Sequence, residues 1–220
     1  MNPRLTSSGP ERMSHNTWLH RISRPLVRPL RNTRVTPNHL TTARLVTGVA
    51  AAACFAIDDW NWDALGAGIF VVSMLLDCAD GELARMTGAT SRFGAFYDLT
   101  TDAICHSCVF LALGGAALDG ILGNWGLPVG IFAGLSISTI FALMISTEAR
   151  YGNGTARFRS RAGFDPDDAL ILIPIAVLFG QGDILLIGAG ICAPMAALFI
   201  GHDLYQRRRR LAVACKRTHL

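Results

Sequence analysis

Long apolar runs limit what this chain can fold into more than any other feature. Segments at about 39–57, 64–86, 92–118, 126–147, 169–184 and 185–203 are built mainly from Leu, Ile, Val, Ala, Phe and Gly. At about 1.5 Å per helical residue, most of them can cross a hydrocarbon core of about 30 Å. Lipid offers no partner to a backbone N–H or C=O, so runs of this kind must be helical. The expectation is an all-α integral membrane protein with six transmembrane helices, the last two short because Gly180-Gln181-Gly182-Asp183 divides them. The composition agrees: 51% of residues are hydrophobic and 16% charged, too apolar for an ordinary soluble domain.

The formal charge of +4 comes from arginines placed between the apolar runs. With six spans, one side receives the N-terminal segment, Arg44, Arg85 and Arg92, then the 148–168 loop and the tail with Arg207, Arg208, Arg209, Arg210, Lys216 and Arg217. The other side receives Asp58 to Asp63, the Asp119-Gly120 turn and the Gln181 to Asp183 turn, with no Lys or Arg. The positive-inside rule then puts both termini in the cytosol and the chain in the cell membrane as a multi-pass protein. The arginines read as topology signals, and no nucleic-acid partner is expected.

Residues 1–35 form a basic arm in which Thr17 to Arg31 has the composition of an interfacial amphipathic segment, bent by Pro25 and Pro29, or of a basic arm held by anionic lipid. Seven arginines in this stretch leave no uninterrupted apolar core, so no signal peptide is expected. The membrane domain spans 36–205 and a basic tail 206–220. Thr36-Pro37-Asn38 reads as an N-cap with proline at the first helical position. The six cysteines are scattered and read as reduced, packed thiols; Cys105-x-x-Cys108 lacks the second pair that a zinc site needs.

The chemistry concentrates between Asp77 and Asp102. Asp77 and Asp80 are three apart and share a helix face with Gly81 and Ala84, while Gly94, Asp98 and Asp102 are spaced by four and share another. A short turn near Thr87 to Thr90 predicts antiparallel neighbouring helices whose acidic faces meet at the cytosolic end. Four crowded aspartates in a membrane carry a large desolvation and repulsion cost, which divalent cations remove. Oxygen ligands without His or Cys favour hard ions such as Mg²⁺ or Mn²⁺, and pairs of such ions serve phosphoryl transfer. The small residues leave room for a nucleotide, and Arg85 can grip a diphosphate. Intramembrane aspartates also mark ion and proton carriers, so a metal or proton transporter stays open at this level.

The spacing D-x₂-D-G-x₂-A-R-x₈-G-x₃-D-x₃-D, matched here at Asp77, Asp80, Gly81, Ala84, Arg85, Gly94, Asp98 and Asp102, resembles the signature of the CDP-alcohol phosphotransferases. The resemblance implies a homodimeric six-helix enzyme that transfers a substituted phosphate from a CDP-alcohol, here CDP-diacylglycerol, to an acceptor alcohol in phospholipid synthesis, releasing CMP. A soluble CDP-alcohol donating its headgroup to a lipid hydroxyl is the alternative within the family. It also implies that Asp77, Asp80, Asp98 and Asp102 hold two Mg²⁺ or Mn²⁺ ions and that Asp102 is the base. Gly81, Ala84, Arg85 and Gly94 then face the nucleotide. Asn38 and Thr41 add nucleotide contacts or serve helix capping.

For the acceptor, family members that take inositol phosphate carry a basic element before the fifth span, where this sequence has Phe164-Asp165-Pro166-Asp167-Asp168. Asp165, Asp167 and Asp168 suit a polyol or an amine, or simply a helix N-terminus. Arg150, Arg157, Arg159 and Arg161 argue for phosphate, or for lipid headgroups. His106, one turn beyond Asp102, either tunes that base or packs.

Overall fold

The computed structural model describes residues 25, 27–57, 59–151 and 170–217, with all their side chains except those of residues 119, 148–151, 207, 208 and 210–217. Among the described residues there are six α-helices and no strand: α1 (Pro37–Phe55), α2 (Trp60–Thr87), α3 (Arg92–Ala116), α4 (Gly126–Tyr151), α5 (Leu172–Leu178) and α6 (Gly182–Arg217). Four of them, α2, α3, α4 and α6, are long and apolar enough to cross a membrane. The expected first span is 19 residues but carries Asn38, His39, Thr41, Thr42, Arg44 and Thr47, and several of these polar groups turn inward.

Local chemistry sets the helix limits. Thr36 is the N-cap of α1 with Pro37 at the first position, as expected, and its N–H donates to His39 Nδ1 at 3.3 Å. Asp59 caps α2 by accepting from Asn61 N at 2.9 Å, and Ser91 caps α3 by accepting from Gly94 N at 2.9 Å. Gly88 ends α2 in the left-handed region, with φ 69°.

The fifth and sixth helices depart from the expected bounds of 169–184 and 185–203. Gly180, at φ 65°, breaks the chain earlier than expected, so the regular part of α5 has only seven residues and α6 begins at Gly182. The α6 backbone then stays helical past 203 to Arg217, through a stretch expected to be a separate tail.

The expected pairing of α2 with α3 also needs correction. Both pack extensively on α1, which lies between them, whereas α2 and α3 barely approach each other as helices. Further packing places α4 on α3, α6 on α4 and α5 on α2. Gly48 explains the close fit of α1: a Cβ there would sit 2.6 Å from Cys105 Sγ of α3 and 3.2 Å from Ser73 Oγ of α2. The α3–α4 contact is a small-residue seam, with Gly114 against Gly126 and Gly130, and with Ser107 donating to Gly134 O at 3.2 Å. Lipid is as apolar as leucine, so close backbone approach of this kind is what holds such helices together.

Phe55, Phe70, Val109, Phe110, Leu113, Ile173 and Leu186 form the interior, while Val46, Phe132, Leu135, Ile191 and Leu198 face outward, as lipid contact requires. Part of the N-terminal arm belongs to this body. The 3-10 turn Arg28–Asn32 follows Val27, whose fully buried side chain packs against Ala79 and Leu83 near the end of α2. Arg28, Arg31 and Arg34 stay exposed beside it. Cys54, Cys78, Cys105, Cys108 and Cys192 are free thiols, as expected.

At the end of the bundle away from the motif, the turns assigned to the arginine-free side come together. Asp183 accepts from Ile121 N at 2.5 Å, and a cleft there is lined by Phe55, Asp63, Gly120, Gly180 and Asp183 among others.

Candidate active site

The motif aspartates do converge, although by a different route from the expected one. Asp77 comes from α2, Asp98 and Asp102 come from α3, and carboxylate oxygens of all three lie within 4.8 Å of one another. The helix between them supplies the missing element. Arg44 of α1, 4% exposed, reaches into the cluster: Nη1 lies 2.8 Å from Asp77 Oδ1 and 3.5 Å from Asp98 Oδ1, and Nη2 pairs with Asp102 Oδ1. One guanidinium thus bridges two helices, which its planar fork of donors permits and a lysine would not.

The backbone of Arg44 is held as well, its carbonyl accepting from Ser73 Oγ at 3.1 Å. From sequence alone Arg44 reads as a topology signal. The clue that it belongs to the site was its register: Arg44 follows Thr41 by three residues on α1, which turns both toward the acidic helices.

Asp80 stands apart from the trio. It is buried, and its Oδ2 accepts the Thr41 hydroxyl at 2.6 Å. Thr41 therefore does not cap the helix, since Thr36 is the cap.

Asn38 lies at the start of α1 against Gly94 of α3; a Cβ at Gly94 would come within 3.4 Å of Asn38 Oδ1. Thr42 Oγ1 and Tyr97 Oη share a hydrogen bond of 3.0 Å, and the Tyr97 ring stacks with Phe93.

On α2, Gly81 and Ala84 are partly exposed. Arg85 folds back over Gly81, held by two hydrogen bonds to Glu82 Oε2 at 2.8 and 3.2 Å. Glu82 was not singled out from sequence. His106 is buried with its ring stacked flat on Phe141, centroids 5.8 Å apart, so its contact there is a packing one. Of Arg150 only the backbone is described, and Arg157, Arg159, Arg161, Asp165, Asp167 and Asp168 lie outside the described residues.

The donor set suits a hard dication. Three carboxylates from two helices offer oxygen only, within a span that one ion can bridge. Among the described residues, a wholly helical fold with four helices of membrane-crossing length and an oxygen-only cluster among them defines a membrane protein with a site suited to a cation.

Comparison with known proteins narrows this class to one family. A sequence model of the CDP-alcohol phosphatidyltransferases matches residues 34–179, and the chain belongs to that family. The chain is 29% identical to a phosphatidylinositol phosphate synthase of Mycolicibacterium smegmatis, over 78% of this chain and 68% of the relative. It is 28% identical to an archaetidylinositol phosphate synthase of Pyrococcus horikoshii, over 87% of this chain and 95% of the relative. A shorter match, 32% identical over 35% of this chain and 42% of the relative, is to a CDP-diacylglycerol–glycerol-3-phosphate 3-phosphatidyltransferase of Rickettsia felis. The protein is accordingly a CDP-alcohol phosphotransferase of phospholipid synthesis and not a carrier. The family is metal-dependent, and the aspartate cluster is where this chain has ligands for a metal.

Proposed function

We propose that the protein transfers a phosphatidyl group from CDP-diacylglycerol to a phosphorylated polyol, with CMP as the other product. The observation that carries this reading is the gathering of Asp77, Asp98 and Asp102 from two helices into one oxygen-only cluster. In the reaction, the acceptor hydroxyl oxygen bonds to the phosphorus that bears the diacylglycerol, the P–O–P linkage breaks, and CMP leaves. Asp102 takes the hydroxyl proton. Asp77, Asp98 and Asp102 would hold Mg²⁺ or Mn²⁺, with Asp80 contributing to a second ion, and such ions would supply charge neutralisation for the phosphate.

Gly81, Ala84 and Gly94 add no bulk of their own where the nucleotide would lie, and Arg85, folded over Gly81, supplies a cation already oriented by Glu82. Asn38, beside Gly94, lies within reach of the same ligand. Orientation follows the arginines, with the cluster and both termini at the cytosolic face. A homodimer follows from the family resemblance and would cover part of the outward apolar surface.

The phosphorylated acceptor rests on the relatives, whose names specify inositol phosphate lipids or glycerol 3-phosphate. Asp165, Asp167 and Asp168 favour a second reading, an unphosphorylated polyol or amino alcohol. Purified protein in detergent with CDP-diacylglycerol and Mg²⁺ or Mn²⁺, assayed for CMP against inositol phosphate, glycerol 3-phosphate, inositol and serine, separates the two. CMP release with none of them, and none with a soluble CDP-alcohol plus diacylglycerol, overturns the assignment.

A further inference from the structure

Arg44 lies where a motif of aspartates gives no reason to expect an arginine. Its guanidinium bonds oxygens of Asp77, Asp98 and Asp102, the same three carboxylates that lie close enough to share an ion. A dication of the hard class draws oxygens to about 2.1 Å and admits no N–H donor between. All three carboxylates lie inside one 4.8 Å span, so an ion seated on the oxygens that Arg44 now holds would displace the guanidinium from them.

We propose that Arg44 is a positioning residue that competes with the metal. It holds the three carboxylates together as their built-in counter-cation and yields them when a dication binds. The inference rests on the reading of the cluster as a metal site, and it concerns a residue outside the family motif.

Two further observations fit this role. The Ser73 hydroxyl fixes the Arg44 carbonyl, so the helix stays in place while the side chain moves. Gly48, one turn on, lets α1 sit deeply enough between α2 and α3 for one side chain to reach both.

The test compares Arg44→Lys and Arg44→Met with the wild type in two measurements: melting temperature in EDTA, and Mn²⁺ affinity by electron paramagnetic resonance of free Mn²⁺. Lysine keeps the charge but contacts the carboxylates from a single point, and methionine keeps the stem without the charge. Stability in EDTA should fall in the order Arg, Lys, Met, while Mn²⁺ affinity should rise in the same order, by about tenfold for methionine.

A purely structural arginine would lower both quantities together, and that result overturns the inference. So does equal Mn²⁺ affinity across the three proteins. Should the methionine variant fail to fold, the lysine variant decides: tighter Mn²⁺ binding than wild type supports competition, and equal or weaker binding refutes it. Wild-type protein that binds no Mn²⁺ removes the metal reading itself and the inference with it, whereas wild-type binding without tightening in the variants removes only the latter.

Discussion

Thr41 of α1 donates its hydroxyl to Asp80 of α2 at 2.6 Å, in a place where both residues are buried. This bond ties the first helix to the motif and satisfies one oxygen of the most enclosed of the four aspartates. Removing the hydroxyl with Thr41→Val keeps the shape and leaves that oxygen without its donor. Leaving a buried acceptor without its donor costs about 1–3 kcal/mol, so the variant should melt at a lower temperature by that equivalent. Thr41→Ser should restore most of it. Equal melting of wild type and Thr41→Val would show that the bond contributes nothing net.

Asp102 is the proposed base, and it is the deepest of the three clustered carboxylates, 16% exposed against 27% for Asp77 and 34% for Asp98. Asp102→Asn retains size and a carbonyl acceptor for Arg44 but cannot take a proton. CMP release should fall by about 100-fold to 10,000-fold, while elution from a sizing column stays that of the wild type. Near-native turnover would assign the proton to another group.

Much of this site was legible in the sequence, because aspartates at three- and four-residue spacing must share helix faces and their cost in lipid demands a counter-charge. What the spacing could not convey is which helix lies between the two acidic ones. A short 88–91 connection suggests direct neighbours, yet α1 lies between α2 and α3, since Gly48 lets its backbone come close to both. The same omission hid Arg44, whose charge at the start of an apolar run resembles a topology marker until its partners are known. The length of α5 was lost for a different reason. Gly180 to Asp183 reads as the division from sequence, but which of the four stops the helix does not, and the left-handed Gly180 places the stop at the first of them. The burial of Val27 was hidden because Pro25 and Pro29 interrupt any helical periodicity among Leu26, Val27 and Leu30, a stretch that reads as interfacial, although Val27 packs against Leu83.

Gly48 offers a test of that three-helix convergence. A methyl group there meets Cys105 Sγ at 2.6 Å, closer than packed atoms tolerate, so the thiol or the helix must shift. Overpacking of this size costs about 1–3 kcal/mol, and Gly48→Ala should lower both the melting temperature and CMP release by moving Arg44 one turn away. Cys105→Ala removes the obstructing sulfur, and the double variant should recover a large part of the loss. Contacting residues couple in this way, whereas independent ones add. Additive losses in the double variant would mean that Gly48 is needed for some reason other than the approach of Cys105.

Asp183 provides the contrasting case at the other end of the bundle. Its carboxylate accepts from Ile121 N at 2.5 Å and sits in the first turn of α6, where a negative charge also complements the positive end of the helix. The bond fastens the connection between α3 and α4 to α6, on the side where no arginine lies. Asp183→Ala should therefore cost about 1–3 kcal/mol of stability, read as a lower melting temperature. The Mn²⁺ affinity and the Michaelis constant for the CDP-linked donor should stay at wild-type values, because none of the clustered aspartates touches this end. A change in either binding constant would mean that the two ends of the bundle are coupled, and that α3 transmits strain along its length to Asp98 and Asp102.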